Sequence, residues 1–405
     1  MEDLKMETDD CICIEEEEDE AGDSLPPANE CMKLCETFAE FTETDKALAM
    51  MYLQQTSWNL ELALASFYDG TGDQAPTTTK RPEHANQPRP ERLLPPNNVI
   101  ATAVCAPVCT SDTQHAHLFR VLSWNIDGLS DKSCDFRTEA VIKIIQAEMF
   151  HVVCLQEVVR ATLSMLERDL SVLYNIFYPS DVTRRDYFPV ICVLKHPALC
   201  VDPASFRVVP FHGSVMQRVL LSLDLHFSPT QLLPTNRKAS TASASIRVRL
   251  WTSHLESCAN FADERMCQLK QSWKEMTDSL LTGNSASLEP FYGIFCGDLN
   301  IRDKEITHLG GLPAGIVDVW QSAGGRREAK ITWDPRRNPN LSLDHPNSGS
   351  GSTYRAQYGM RFDRMYAAGS GLSPIDFELR GLERVPGRTH FPSDHWAILG
   401  HFDLV

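Results

Sequence analysis

The alternation of apolar and polar positions from residue 117 onward predicts a mixed α and β fold. Short apolar runs of strand length recur along this part of the chain. Two longer segments, 136–149 and 261–281, repeat their apolar positions at helical spacing instead. The predicted strands are 118–126, 150–158, 188–195, 218–227, 247–255, 291–299, 358–367 and 396–404. Many strands with a few helices between them favour an α+β sandwich.

Residues 31–70 carry a separate helical pattern. The predicted last helix ends near Gly70, a typical terminating residue. One face of that helix holds Leu60, Ala63, Leu64 and Phe67. We predict three short helices that pack into a small bundle, because about 40 residues is near the lower size limit for independent folding.

Polar segments lie on both sides of this bundle. Residues 1–30 have few large apolar side chains and contain an acidic run from Glu15 to Glu20, which predicts a disordered tail. Residues 71–115 contain seven prolines, a composition typical of linkers. We therefore predict a tail at 1–30, a bundle at 31–70, a linker at 71–115 and a main domain at 116–405. Surface loops are predicted at 228–245 and 334–357.

The negative charge of the chain is concentrated at its start. The 405 residues have a formal net charge of −16, and residues 1–70 account for all of it. The acidic composition therefore does not exclude a nucleic-acid partner for the main domain. No apolar run reaches the ~18 residues of a membrane helix, and the acidic N-terminus differs from a signal or transit peptide. With thirteen cysteines that lack a metal-ligand spacing, we expect a protein of the nucleus and cytoplasm, away from membranes.

Five predicted strands end in polar residues that can carry chemistry. These are Asn125 with Asp127, Glu157, His254 with Glu256, Asp298 with Asn300, and Asp394 with His395. Oxygen ligands such as those of Glu157 and Asn125 suit Mg²⁺, which retains waters and substrate oxygens. His254 and His395 can donate N–H groups to a phosphate, and Asp298 can orient and deprotonate a water molecule. The combination predicts metal-assisted hydrolysis of a phosphodiester.

These blocks resemble the endonuclease/exonuclease/phosphatase superfamily of DNase I-like enzymes over residues 118–405. The specific element is the pairing of Gly297-Asp298-x-Asn300 with Ser393-Asp394-His395. The resemblance implies a four-layer α/β/β/α sandwich that acts as a monomer with Mg²⁺, for which Mn²⁺ can substitute. More closely, residues 124–129, 253–257 and 300–303 resemble the tyrosyl-DNA phosphodiesterase branch.

The resemblance implies a role for each matching residue. Glu157 and Asn125 are implied as metal ligands, and Asp363 is implied to orient His395. The implied catalytic set is Asn125, Glu157, His254, Asp298, Asn300, Asp363 and His395. The implied substrate-binding set is Asn125, Ile126, Asp127, Gly128, Leu129, Tyr187, His254, Leu255, Glu256, Ser257, Asn300, Ile301, Arg302, Trp333, Phe362, Asp394 and His395. Of these, Tyr187, Trp333 and Phe362 match aromatic positions in the family's DNA groove.

Two positions depart from the family pattern: Leu299, between Asp298 and Asn300, is expected to change packing only, and the other lies after Ser257. That pattern has an arginine two residues after Ser257, where this chain has Ala259. We expect Arg265 or Arg302 to supply the missing phosphate contact. Helical spacing places Arg265 on a shared face with Phe261, Leu269 and Trp273.

The resemblance also implies substrates and partners. The tyrosyl-DNA branch implies hydrolysis of the 5′-phosphotyrosyl bond between DNA and a trapped topoisomerase, mainly topoisomerase II, which leaves a 5′-phosphate for DNA repair. Residues 58–70 resemble the last helix of ubiquitin-associated (UBA-like) domains, which implies that residues 31–70 bind ubiquitin. The segment Ile12-Cys13-Ile14, directly before the acidic run, predicts strand addition to a small ubiquitin-like modifier.

Other functions remain open at this point. An abasic endonuclease or a lipid phosphatase would have the same fold and metal chemistry, although the polar loops disfavour a lipid substrate. A ubiquitin or signalling adaptor could use the fold as a platform, although every catalytic motif is intact by residue type. The number of metal ions, the choice between duplex ends and single strands, and activity on RNA–protein adducts also stay open.

Overall fold

The computed structural model describes residues 26–42, 44, 46–56, 58–70, 118–130, 133–228, 245–286, 290–338, 340, 359–369 and 371–404. The predicted modifier-binding motif at Ile12 to Ile14 and the predicted linker at 71–115 lie outside these residues. Most of the two predicted surface loops lies outside them as well.

Three helices form the N-terminal bundle, as the sequence predicts. They are α1 (Ala28–Thr42), α2 (Lys46–Gln55) and α3 (Leu60–Gly70). The fully buried Phe38 lies at their centre, and the rings of Tyr52 and Phe67 pack against it at centroid separations of 5.6 and 5.7 Å. Because α1 begins at Ala28, the prediction of disorder is wrong for the last residues of the 1–30 segment.

Two sheets stack to form the centre of the main domain. The strands are β1 (Phe119–Asn125), β2 (Val152–Val158), β3 (Tyr174–Phe177), β4 (Phe188–Leu194), β5 (Leu199–Pro210), β6 (Val219–Phe227), β7 (Ile246–His254), β8 (Phe291–Asp298), β9 (Ile316–Asp318), β10 (Asp363–Ala368), β11 (Leu372–Arg380) and β12 (Ala397–Leu404). Within the described residues, one sheet has the order β11-β12-β1-β2-β4-β3 and the other the order β5-β6-β7-β8-β10-β9. The pairs β1–β2 and β7–β8 are parallel.

Helices cover the outer face of each sheet. They are α4 (Cys134–Glu148), α5 (Arg160–Leu170), α6 (Ala262–Ala286) and α7 (Asp303–His308), whereas the short α8 (Val319–Ser322) packs Val319 into the core between the sheets. Successive strand residues point to opposite faces, so Val121 packs against the other sheet while Leu122 packs under α4 and α5. Leu269 of α6 packs on the second sheet. The predicted four-layer α/β/β/α sandwich is confirmed.

The sequence missed the elements that lack a strong apolar run. Strand β5 leaves much of its length exposed at a sheet edge, and β3 and β9 have only four and three residues. The predicted strand at 358–367 begins only at Asp363, after an isolated bridge between Met360 and Trp333. Among the described residues, no helix has the length and apolar character needed to cross a membrane.

A buried histidine near the start of β2 makes stability depend on pH. Burial, followed by the charges of Arg120, His196 and His401, lowers the pKa of His151 to about 3. In the unfolded chain His151 titrates near 6.5, so below pH 6.5 the unfolded state binds the extra proton. We expect its contribution to the free energy of unfolding to fall by about 1.4 kcal/mol per pH unit between 6.5 and 3.

The variant His151→Asn tests this contribution. Urea unfolding at pH 7 and pH 5 is expected to show a shallower pH dependence in the variant than in the wild type. Equal pH dependence in the two proteins would contradict the assignment.

Candidate active site

The register of the strands brings the predicted catalytic residues together at one edge of the sandwich. Asn125 ends β1 and Glu157 lies near the end of the parallel neighbour β2. In the other sheet, Asp298 at the end of β8 is paired with His254 on β7 and with Asp363 on β10. Parallel strands place their carboxyl ends at the same sheet edge, so residues far apart in the sequence share one site.

Asp298 is the centre of this site. Its Oδ2 atom lies 3.3 Å from His254 Nε2, 3.7 Å from His395 Nε2 and 3.0 Å from Asn125 Nδ2. The buried Asp363 lies behind His395, with its Oδ2 atom 2.8 Å from His395 Nδ1. This contact directs His395 Nε2 toward Asp298.

Asn125 lies between two carboxylates. Its Nδ2 atom donates to Glu157 Oε1 and Asp298 Oδ2, both at 3.0 Å, and its Oδ1 atom accepts the N–H of Asp127. The amide therefore presents its N–H groups to the carboxylates. In this arrangement Asn125 positions Glu157 and Asp298, and its role as a metal ligand stays a prediction.

Backbone strain is concentrated around the same residues. Asp127, Glu157 and Asn300 have φ angles of 51°, 55° and 49°, a region that side-chain-bearing residues rarely adopt and that often marks functional sites. Gly128 is required for packing, because a Cβ atom there would lie 2.1 Å from the carbonyl oxygen of Glu157.

The two histidines carry different charges at neutral pH. Burial, then the charge of Arg218, lowers the pKa of His254 well below its usual value. Burial also disfavours the charged form of His395, but Asp363 and then Asp298 raise its pKa well above the usual value. Asp298 is thus in contact with a neutral imidazole, that of His254, and with an imidazolium, that of His395.

The donor set fits a divalent cation. Burial, followed by the charge of Asp394, raises the pKa of Glu157 to about 7. The nearby positive charges are therefore too few to offset the burial of this carboxylate. Ligand atoms of Asp298, Asp363 and His395 also lie within 4.8 Å of one another. Because His395 and Asp363 are engaged with each other and both oxygens of Asp298 accept N–H groups, the carboxylate of Glu157 is the best available ligand, and hard oxygens suit Mg²⁺.

A group of polar and aromatic side chains extends from the His395 side of the site. The backbone N–H of Asn300 donates to Asp298 Oδ1 at 3.1 Å. Arg302 Nη1 donates to the Asn300 carbonyl at 2.7 Å, and its guanidinium lies 5.2 Å from the centre of the Phe362 ring. Phe362 lies 5.7 Å from Trp333, whose Nε1 donates to Asp394 Oδ2 at 3.2 Å. These half-buried groups form a surface suited to a nucleic-acid strand.

The His254 side of the site contains a residue that sequence reasoning missed. Arg218 is only 5% exposed, yet its Nε and Nη1 atoms make no hydrogen bond within the described part of the chain. Its guanidinium lies 5.0 Å from the centre of the Tyr187 ring, which in turn lies 6.2 Å from the His254 ring. With Glu157 and Met216, these residues line a narrow cleft. The sequence feature that could have indicated this residue is an arginine directly before the apolar run of β6.

Of the two arginines expected to supply the missing phosphate contact, only Arg302 has a partly exposed side chain. Arg265 is fully buried and pairs with Glu305, and its Nη1 atom donates to the carbonyls of Glu256 and Cys258. It therefore cannot contact a substrate phosphate. Arg302 remains partly exposed at the site. Burial, then Arg265, lowers its pKa to about 10, so it stays charged at neutral pH.

Several predicted substrate-binding residues lie behind the surface. Leu255, Glu256 and Ile301 have no exposed area and Ile126 is 2% exposed, so their side chains pack inside the domain, and their contact with substrate stays a prediction. Asp127 pairs with Arg137 at 3.0 Å. Leu129 and Ser257 are only partly buried. The motif residues around the catalytic side chains are thus mainly packing residues.

Sequence comparison identifies both parts of the chain. The sequence pattern of the Endonuclease/Exonuclease/phosphatase family matches residues 122–395, and that of the UBA-like domain matches residues 32–74. Tyrosyl-DNA phosphodiesterase 2 from Homo sapiens is 31% identical, with coverage of 97% of this chain and 98% of the human protein. The 5′-tyrosyl-DNA phosphodiesterase of Caenorhabditis elegans is 30% identical, with coverage of 90% and 85%.

Solved structures agree with the sequence comparison. The Danio rerio TDP2 structure in complex with a single-strand DNA product is 28% identical and has a TM-score of 0.57, covering 71% of this chain and 99% of that chain. TDP2 from Caenorhabditis elegans is also 28% identical with a TM-score of 0.57, and the match covers 99% of both chains.

Proposed function

This chain belongs to the endonuclease/exonuclease/phosphatase family and is a phosphodiesterase, and we propose that it hydrolyses the 5′-phosphotyrosyl bond between DNA and a trapped topoisomerase, mainly topoisomerase II. The product would carry a 5′-phosphate ready for ligation. The observation that carries the proposal is the contact of Asp298 Oδ2 with both histidines, next to a cleft that contains Tyr187 and Arg218.

The geometry supports hydrolysis by a positioned water molecule. Asp298, held by Asn125 and by the N–H of Asn300, accepts a proton from the water as its oxygen attacks phosphorus. The N–H groups of neutral His254 and charged His395 stabilise the negative charge that builds on the phosphate oxygens. The phosphorus–oxygen bond to tyrosine breaks, and the phenolate leaves.

A tyrosine leaving group reduces the need for an acid. Its conjugate acid has a pKa of about 10, so the phenolate departs more readily than an alkoxide. A bound Mg²⁺, held by Glu157 and replaceable by Mn²⁺, would supply positive charge to the phosphate.

The two sides of the site suit the two parts of the substrate. Trp333, Phe362 and Arg302 offer stacking and charge to a DNA strand, with about 1–3 kcal/mol for each stacked base. Arg218 and Tyr187 form a cationic and aromatic cleft on the His254 side, which suits the ring of the adduct tyrosine.

Turnover of two substrates tests this proposal. A 5′-phosphotyrosyl oligonucleotide and a duplex with an abasic site are each incubated with Mg²⁺ and with a chelator. We expect Mg²⁺-dependent release of tyrosine and a 5′-phosphate product. Incision of the abasic duplex without release of tyrosine would replace the proposed substrate while keeping the family chemistry.

Arg218 is expected to contribute to recognition of the tyrosine. In the variant Arg218→Met, kcat/KM for the phosphotyrosyl oligonucleotide should fall about tenfold, since a desolvated cation beside an aromatic ring contributes up to about 2 kcal/mol. Arg207→Met, at an exposed position of β5, is the matched control. An unchanged kcat/KM in the Arg218 variant would contradict this role.

We also propose partners and a location for the protein. The UBA-like residues 31–70 would bind ubiquitin, and the exposed Phe41 and Leu62, at 63% and 58%, are candidate contact residues. Titration of labelled ubiquitin with Leu62→Ser as the variant tests this surface, and equal affinity would contradict it. Small-modifier binding through Ile12 to Ile14, a monomeric state, and residence in nucleus and cytoplasm remain proposals from the sequence.

A further inference from the structure

The N-terminal bundle lies against the main domain beside the active site. Met216 and Phe261, which are 3% and 5% exposed, pack with Cys31 and Cys35 of α1, and they belong to none of the three apolar clusters of the sandwich. Their burial therefore depends on the bundle. Together the segments 211–217 and 256–261 form the surface on which the bundle sits, called the rim below.

Polar contacts also cross this interface. Asn260 Nδ2 donates to Cys31 Sγ at 2.9 Å, and Gln54 Nε2 donates to Ser257 Oγ at 3.4 Å. Burial raises the pKa of Cys31 to about 11 and that of Cys258 to about 12, so both thiols are neutral at this interface. The contact thus combines apolar packing with specific hydrogen bonds.

The rim is itself held firmly in place. Glu256 accepts the backbone N–H groups of Val215 and Met216 at 2.9 and 3.0 Å. Arg265 donates to the carbonyl of Cys258 at 2.7 Å, where the chain has a φ of 63°. These buried hydrogen bonds fix the rim. More space at this end of the cleft is therefore gained more easily by moving the bundle than by moving the rim.

The interface reaches the cleft through two side chains. Tyr187 packs against the same cluster as the bundle residues and faces His254. Met216 lines the cleft with Glu157 and Arg218. The bundle therefore packs against two residues that line the end of the site assigned to the tyrosine.

We propose that the seated bundle limits the size of the polypeptide attached to the tyrosine. On this proposal a single tyrosine is accepted while the bundle is seated, whereas a longer peptide requires the bundle to leave the rim. This inference rests on the proposed function, because it assigns the protein side of the adduct to the cleft of Tyr187 and Arg218.

The experiment uses the full chain and two kinds of measurement. Phe261→Ser and Gln54→Lys disrupt the interface from opposite sides, and Gln321→Lys, at an exposed position, is the control. Hydrogen exchange of the rim reports seating of the bundle without reference to activity. Turnover is measured on one oligonucleotide that carries either a single tyrosine or a long tyrosine-linked peptide.

We expect faster exchange of the rim in both interface variants. The ratio of kcat/KM for the peptide adduct to that for the single-tyrosine adduct should rise at least about fivefold, the lower bound for a coupling of this kind. Because the DNA is the same in both substrates, changes in DNA affinity cancel in this ratio.

Three results would overturn the inference. Unchanged exchange in both variants would mean that the bundle is not seated in solution. Faster exchange with an unchanged ratio would mean that a seated bundle does not limit the adduct. If the wild type releases no tyrosine from either substrate, the proposed function fails first and the inference falls with it, whatever the exchange shows.

Discussion

The variant Asp298→Asn is expected to lose about a thousandfold in kcat, because the site loses the group that accepts the proton of the attacking water. Asparagine keeps the shape of the side chain and retains one oxygen for the N–H of Asn300. The charge of Asp298 raises the pKa of both Glu157 and Asp363, so its removal relieves repulsion among buried carboxylates, but it also removes a negative partner of His395. Because these two effects oppose each other, we expect a melting temperature close to that of the wild type.

Single-turnover kinetics and calorimetry check this pair of expectations. Asp202→Asn, at an exposed position on β5, is the matched control and should change neither quantity. If the variant kept activity within about tenfold of the wild type, the loss would be too small for the removal of a general base. A large drop in the melting temperature would show a structural role instead.

The variant Arg265→Met is expected to cost about 3–5 kcal/mol in the free energy of unfolding, because it leaves a buried charge without its partner. Arg265 Nε donates to Glu305 Oε2 at 3.1 Å, and the same carboxylate accepts the N–H of Arg302 at 2.9 Å. Both side chains are buried. Methionine fills a similar volume but supplies no positive charge to Glu305.

Denaturant unfolding of a double-mutant cycle measures this ion pair. The variant that combines Arg265→Met with Glu305→Leu should recover part of the loss, since it removes both buried charges. If Arg265→Met alone lowered the free energy of unfolding by less than about 1 kcal/mol, the ion pair would contribute no more than an exposed pair does. That result would contradict the buried geometry.

Much of the main domain could be predicted from the sequence because its central strands are buried on both faces. Val121 and Leu122 face opposite layers, so the run around them is apolar throughout. An edge strand such as β5 has no such run, because part of it faces solvent. The same reasoning explains why β3 and β9, with four and three residues, left no clear pattern.

Residue types predicted which side chains lie together at the site more reliably than they predicted contacts. Asp298, His254 and His395 lie together because His254 and Asp298 end strands β7 and β8 and His395 lies just before β12, which begins at the same edge. Glu256 lies two residues after His254 in the chain, but its side chain is completely buried and accepts a hydrogen bond from the rim. Sequence neighbourhood alone cannot separate a side chain that points into the cleft from one that points into the core.

The sequence by itself indicated an α+β sandwich through its apolar periodicity, and its ordered motifs carried the resemblance to the family, which implied the four-layer arrangement, because periodicity and motifs are local properties of the chain. Only the tertiary structure decided that the Asn125 amide presents its N–H groups to Glu157 and Asp298 and that Arg265 is buried against Glu305. It also decided that Arg218 reaches Tyr187 and that α1 packs on Phe261. Those outcomes depend on contacts between segments far apart in the chain, where packing and the neutralisation of buried charge select one partner among many.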